Sequence, residues 1–182
     1  MNEKKQEKNR MLGSAKELAR IAVFVAMVIG AQYVFSAVPF VEIVSLLFAA
    51  YAYSFGVVRS VAAAVAFALL RQFVFGFFPV VLLLYLIYFP LLCVVFSWLG
   101  RCKISGWKLV AWATLTAVVC TVCFSLLDNL LMAICSLDGK KAVNAYFVAS
   151  IPFMIGHSLC VGISVAFLFL SLTKLLLFIK KA

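Results

Sequence analysis

The chain has 182 residues, of which 67% are apolar and only 12% charged, and its mean hydropathy is +1.19. A water-soluble domain of that composition would expose an unmanageable apolar surface, so a soluble fold is excluded and an integral membrane protein is expected. The formal net charge of +10 does not indicate nucleic acid, because the basic residues lie beside hydrophobic stretches; anionic lipid headgroups of the bilayer are the expected partner.

A helix needs about 20 mostly apolar residues to cross the hydrocarbon, and six such segments use nearly the whole chain. Residues 1–16 form a polar N-terminal segment, and the apolar stretch beyond them is too long for a signal-peptide core and lacks a cleavage site, so the segment is expected to stay. The first span runs from Leu18 to Phe35 and is ended by Pro39. The second, Val41 to Phe55, is short enough to be tilted, partly re-entrant or shielded by protein. Arg59 punctuates the turn after it. The third span covers Val58 to Phe75, the Gly76-Phe77-Phe78-Pro79 turn follows, and the fourth covers Val80 to Leu99. A basic loop from Arg101 to Lys108 leads to a fifth span, Leu109 to Ile134. The polar segment Ser136 to Asn144 leads to a sixth, Tyr146 to Leu172, and the tail ends in Lys180-Lys181. The fold class expected is all-α: six transmembrane helices in one bundle, a single domain over 1–182.

An even number of crossings puts both termini on one side. That side collects Lys4, Lys5, Lys8, Arg10, Lys16, Arg20, Arg59, Arg101, Lys103, Lys108, Lys174, Lys180 and Lys181, against Lys140 and Lys141 opposite. The positive-inside rule makes the rich side cytoplasmic, and Trp98, Trp107 and Trp112 fall at the same interface. The cysteines sit mostly within apolar runs, as small packing residues do. Cys120 and Cys123 form a C-x-x-C, but a zinc site needs more ligands and a redox site an exposed thiolate. No nucleotide-binding loop, H-E-x-x-H motif or acidic metal cluster is present. Neither a metal nor a cofactor is expected, and the chain has no motor of its own.

Mapped onto this topology, Gln32, Glu42, Arg71, Gln72, Tyr85, Tyr88, Asp128, Asn129 and His157 all fall in the outer halves of their spans. Polar groups sent to one depth from several helices are what a shared, outward-opening ligand cavity requires, since each must face the bundle interior to avoid lipid. Each residue also has a plainer reading. Glu42 is either a helix N-terminal cap or a ligand contact. Arg71 either snorkels toward headgroups or, with Gln72, forms a wall of donors. Asp128, next to Asn129, either pairs with Arg71 or a lysine or meets substrate directly. Tyr85 and Tyr88, three apart on one face, pack as ordinary aromatics or stack on a flat ring. His157 is a buried, neutral, hydrogen-bonded histidine or a ligand contact. Gly156-His157-Ser158-Leu159-Cys160 lacks the second glycine and the preceding strand of a nucleophile elbow, and one histidine in a bundle defines neither a nucleophile–base pair nor a metal site, so an enzyme is not expected.

Ala15, Ala19, Ala22, Ala26 and Gly30 recur at spacings of three and four in the first span. Such a stripe lets a second helix approach closely in a membrane, either within the bundle or from a separate subunit. With its six spans and the A-x-x-x-A at Ala22 to Ala26, the chain resembles the substrate-binding S components of energy-coupling factor vitamin transporters. Glu42-Ile43-Val44-Ser45-Leu46-Leu47 and the tight Gly76 to Pro79 turn before an aromatic fourth span are also similar to members of that family. The resemblance covers nearly the whole chain but rests on pattern.

The resemblance implies a multi-pass protein of a bacterial plasma membrane that binds a vitamin or related micronutrient from outside. It also implies delivery through a transmembrane coupling subunit and two ATPase subunits, with Ala19, Ala22, Ala26 and Gly30 as the docking face. Family sites lie near the outer surface against helices four to six. That implicates Tyr85, Tyr88, Asp128, Asn129 and His157, with Arg71, Gln72 and Glu42 at the rim, and mixed acid, base and aromatic groups suit a flat, polar or zwitterionic molecule. Two other classes stay open: a stand-alone carrier of a small metabolite with Asp128 or Glu42 as proton site, and a non-transporting membrane scaffold.

Overall fold

A computed structural model describes residues 15–38, 42–102, 104–135 and 139–181. Among them there is no strand, and six helices follow in order: α1 Ala15–Phe35, α2 Val44–Phe55, α3 Val57–Phe75, α4 Pro79–Leu99, α5 Trp107–Cys135 and α6 Gly139–Lys181. Five of them are long and apolar enough to cross a membrane; α2 is not. The N-terminal segment up to residue 14, Pro39, Val41, Lys103 and Ser136 lie outside the described residues, as do the side chains of Lys140, Lys141 and Lys181.

The short second helix is shielded by protein. Every residue of α2 except Tyr53 is buried, the behaviour of a helix that is apolar all round. α2 packs against α3, α4 and α6 and more lightly against α1 and α5, while α1 lies on α3, α3 on α4, α4 on α5 and α5 on α6. The other five helices are therefore arranged in the order α1, α3, α4, α5, α6 about α2, with a groove between α1 and α6. The centre of the bundle is Phe48 of α2, whose ring lies 5.4 Å from Phe24 of α1, 5.3 Å from Phe67 of α3 and 4.9 Å from Phe89 of α4. These distances and tilts are those of favourable aromatic pairs.

Glycines set the tight corners. Gly56 joins α2 to α3 with φ +82°, its N–H donating to the Ala52 carbonyl at 3.0 Å and its carbonyl accepting from the Ser60 hydroxyl at 2.8 Å. The left-handed backbone there suits a residue without Cβ. Gly76, φ +92°, ends α3 in the same way, and Pro79 opens α4 at a position where its missing N–H costs nothing. Gly100 has an ordinary φ of −66° but is needed for space, since a Cβ on it would lie 2.7 Å from the Tyr53 carbonyl oxygen.

Several boundaries differ from the sequence reading. Arg59 lies in the first turn of α3 rather than in the connection before it. α6 begins at Gly139, upstream of Tyr146, and continues past Leu172 to Lys181, so the basic tail is the last turns of a helix. Lysine and glycine there do not break a helix whose register is already fixed by the turns beside them. The basic tail also folds back on the bundle, where Lys180 Nζ donates to the Ser54 carbonyl at 2.8 Å and stands 5.9 Å from the Phe55 ring centre.

Contacts define the two ends of the bundle. At one, Glu17 of α1 joins Arg20 at 3.2 Å and Arg59 of α3 at 2.8 Å, beside the Lys180 contact. The exposed Trp98, Trp107 and Trp112 lie at or near the same helix ends. The opposite end gathers the C-termini of α1 and α3 and the N-termini of α2 and α4.

Candidate functional site

That opposite end holds a cavity of about 390 Å³, within the range of small-molecule sites. Gln32, Ser36, Glu42, Arg71, Tyr85 and His157 supply its polar wall, and Phe35, Phe75, Phe89 and Phe124 its aromatic one. The wall is built from every helix: Gln32 comes from α1, Glu42 from just before α2, Arg71 from α3, Tyr85 from α4, Phe124 from α5 and His157 from α6.

Arg71 is the most elaborated of these side chains. Its Nε donates to Gln32 Oε1 at 3.1 Å, and Gln32 Nε2 donates in turn to the Tyr85 hydroxyl at 3.3 Å. The guanidinium carbon lies 4.7 Å from the centre of the Phe75 ring and 4.7 Å from that of Tyr85, so the cation is held between two π faces. Arg71 points into the bundle and does not snorkel. It forms no ion pair with Asp128; the ion pairs of Glu17 lie at the other end of the bundle.

Glu42 is not the helix cap. Ile43 occupies the N-cap position of α2 and no side-chain cap bond is made. Instead, Glu42 Oε1 accepts from the Ser45 hydroxyl at 2.8 Å, and Ser45 lies 3.5 Å from the Tyr88 hydroxyl. Tyr88 is buried behind the cavity wall, its ring 4.6 Å from Phe124. His157 of α6 lines the same chamber.

The remaining expected site residues have other partners. Gln72 is buried, donating to the Ala68 carbonyl at 3.3 Å and accepting from the Phe78 N–H at 3.2 Å. It pins the α3–α4 turn and does not line the cavity. Asn129 donates to the Ser150 hydroxyl at 2.6 Å and ties α5 to α6. Asp128 is half-buried and outside the lining, within electrostatic reach of Tyr85. Glu42, Arg71, Tyr85 and His157 are thus brought together, Tyr88 stands one layer behind, and Gln72, Asp128 and Asn129 are not lining residues.

Comparison with known protein families, curated proteins and solved structures finds no match. What the site can do therefore rests on its own chemistry. Two polar atoms of the wall, Glu42 Oε2 and Arg71 Nη1, are shut off from water and have no hydrogen-bond partner. Such groups ordinarily find one.

Sequence reasoning placed Gln32 among the outer polar residues but not in the site. Its role depends on α1 and α3 running side by side, which no local pattern records. Ser45 was passed over because a serine inside an apolar helix reads as a packing residue. Among the described residues no group of three or more His, Cys, Asp or Glu side chains could hold a metal ion, and Cys93, Cys102, Cys120, Cys123 and Cys160 are free thiols.

The small-residue stripe of α1 faces outward. Ala15, Ala19, Ala22, Ala26 and Gly30 are all exposed, whereas Ile21, Phe24, Val25 and Val28 are buried. Within the described residues the stripe is not used for packing inside this chain, and a Cβ at Gly30 would meet nothing within 4 Å.

Proposed function

We propose that the chain is the substrate-specific membrane subunit of an energy-coupling factor importer. It would bind a vitamin or related micronutrient from outside the cell and deliver it through a separate coupling subunit and two ATPases. The observation that carries the reading is the chamber lined by Gln32, Glu42, Arg71, Tyr85 and His157 inside an otherwise apolar bundle. Buried ionisable groups among apolar helices are costly and mark a functional pathway or site. The outward-facing stripe at Ala19, Ala22, Ala26 and Gly30 supports docking of the coupling subunit, because small residues allow close helix approach in a membrane.

In this reading all six helices form the membrane-embedded bundle. The end carrying Arg20, Arg59 and Lys180 and both termini are cytoplasmic, in keeping with the positive-inside rule, and the chamber opens outward in a plasma membrane. Substituting Trp for both Ala22 and Ala26 should abolish uptake while ligand binding is retained. Loss of binding with unchanged uptake machinery would remove the docking assignment.

A second reading has one observation in its favour. Glu42, buried with one carboxylate oxygen lacking a hydrogen-bond partner, is the kind of group a proton-coupled carrier uses. Uptake into vesicles driven by an imposed proton gradient, without any ATPase, would favour that carrier over the importer.

A further inference from the structure

An arginine and a glutamate line one cavity without forming an ion pair. Arg71 is satisfied only by the neutral Gln32 and by two aromatic faces, and Glu42 by the Ser45 hydroxyl. Each retains a water-excluded polar atom with no hydrogen-bond partner, Nη1 of Arg71 and Oε2 of Glu42. Burying a charge is tolerated when it is paired and fully hydrogen-bonded. Here the protein supplies the framework for both pairings and completes neither.

Arg71 presents a planar donor fork suited to a carboxylate or a similar anion. Glu42 presents an acceptor suited to an ammonium or amidine N–H. Phe35, Phe89 and Phe124 also line the chamber, and an aromatic lining favours a flat ring.

Resting on the importer reading, we infer that the ligand is a compact ring-bearing zwitterion, bound with its anionic group on Arg71 and its cationic or N–H-donating group on Glu42. Ser45 and Gln32 are positioning residues: the first turns Glu42 by its 2.8 Å bond, the second holds Arg71 by its 3.1 Å bond. His157 also lines the chamber, and a histidine can carry a positive charge of its own. A purely anionic ligand is therefore the alternative that the test must separate.

The full chain is purified from its own cells together with whatever subunits accompany it. Small molecules released by denaturing the wild type, Glu42→Gln and Arg71→Gln are then identified by mass spectrometry, with thermal unfolding as the check on folding. The expected result is a ring compound carrying both an acidic and a basic group, its occupancy at least tenfold lower in each variant.

A preparation that arrives empty is titrated with 4-(aminomethyl)benzoate, benzoate and benzylamine. The doubly charged probe should bind at least tenfold tighter than either half. A bound ligand lacking one of the two charges, benzoate binding as well as the zwitterion, or no binding by any probe overturns the inference. The importer reading is scored separately on the same preparations by the presence of ATPase subunits. A singly charged ligand with ATPases present sinks only the zwitterion, and a bound zwitterion without them sinks only the importer.

Discussion

Replacing Gln32 tests the chamber without presuming its ligand. Gln32→Leu removes the acceptor of the Arg71 Nε bond at 3.1 Å and the donor to the Tyr85 hydroxyl at 3.3 Å. A hydrogen bond to a charged group contributes about 1.5–3 kcal/mol and a neutral one about 0.5–1.5 kcal/mol. Measured values between membrane helices average nearer 0.6 kcal/mol. The cation–π contacts with Phe75 and Tyr85 survive the change, so the loss should fall near 2 kcal/mol by the same hydrogen-bond magnitudes.

Arg71 would then have both Nε and Nη1 without a partner in a site closed to water. Gln32→Glu should behave differently, since a carboxylate keeps the acceptor and adds an opposite charge. Thermal unfolding in detergent should rank wild type and Gln32→Glu together, with Gln32→Leu several degrees lower. Equal stability of Gln32→Leu and wild type would mean that Arg71 is satisfied by other means, and the argument that its geometry depends on α1 would fail.

Gly56→Ala should lower stability by about 1–2 kcal/mol through the left-handed backbone alone, because φ is +82° and no atom lies within 4 Å of the added Cβ; unfolding midpoints check it. Gly100→Ala should cost about 1–3 kcal/mol for the opposite reason, a steric clash at 2.7 Å with the Tyr53 carbonyl at an ordinary φ. Tyr53→Ala leaves that carbonyl in place and should not rescue it. In cells, a membrane-impermeant maleimide should label Cys102 only after permeabilisation, whereas a cysteine placed at Ser36 should react from outside. The reverse pattern would invert the proposed orientation.

The helices were legible because apolar runs in this chain are long and their interruptions sharp. Gly76 to Pro79 marks a corner in any register, and the basic run from Arg101 marks the connection to α5, although Trp107 and Lys108 belong to that helix. The end of α6 was less legible, because Lys174 and Lys180 look like a tail until the Ser54 carbonyl is found beside Lys180.

In the site, depth along the helices was readable from charge asymmetry, and Glu42, Arg71, Tyr85 and His157, read at one depth, line one cavity. Depth does not give azimuth. Gln72 adjoins Arg71 in sequence but sits about 100° around the helix, and there it meets the Phe78 N–H instead of the cavity. Asn129 is turned toward α6 for the same reason. The stripe of α1 showed the converse limit: its spacing was plain, but only the packing of Phe24, Val25 and Val28 reveals that it faces away from the bundle.

The length of α2 explains why there is a chamber at all. Its 12 residues extend about 18 Å at 1.5 Å per residue, while the 21 residues of α1 extend about 31 Å. α2 is thus shorter than α1 by roughly 13 Å by the same arithmetic, and Glu42, Ile43 and Val44, at the point where α2 begins, are part of the cavity wall. The chamber lies at the end of the bundle where α2 begins. Its floor is a helix start, so extending α2 by two turns before Val44 would fill the chamber from below without altering any residue of the other five helices.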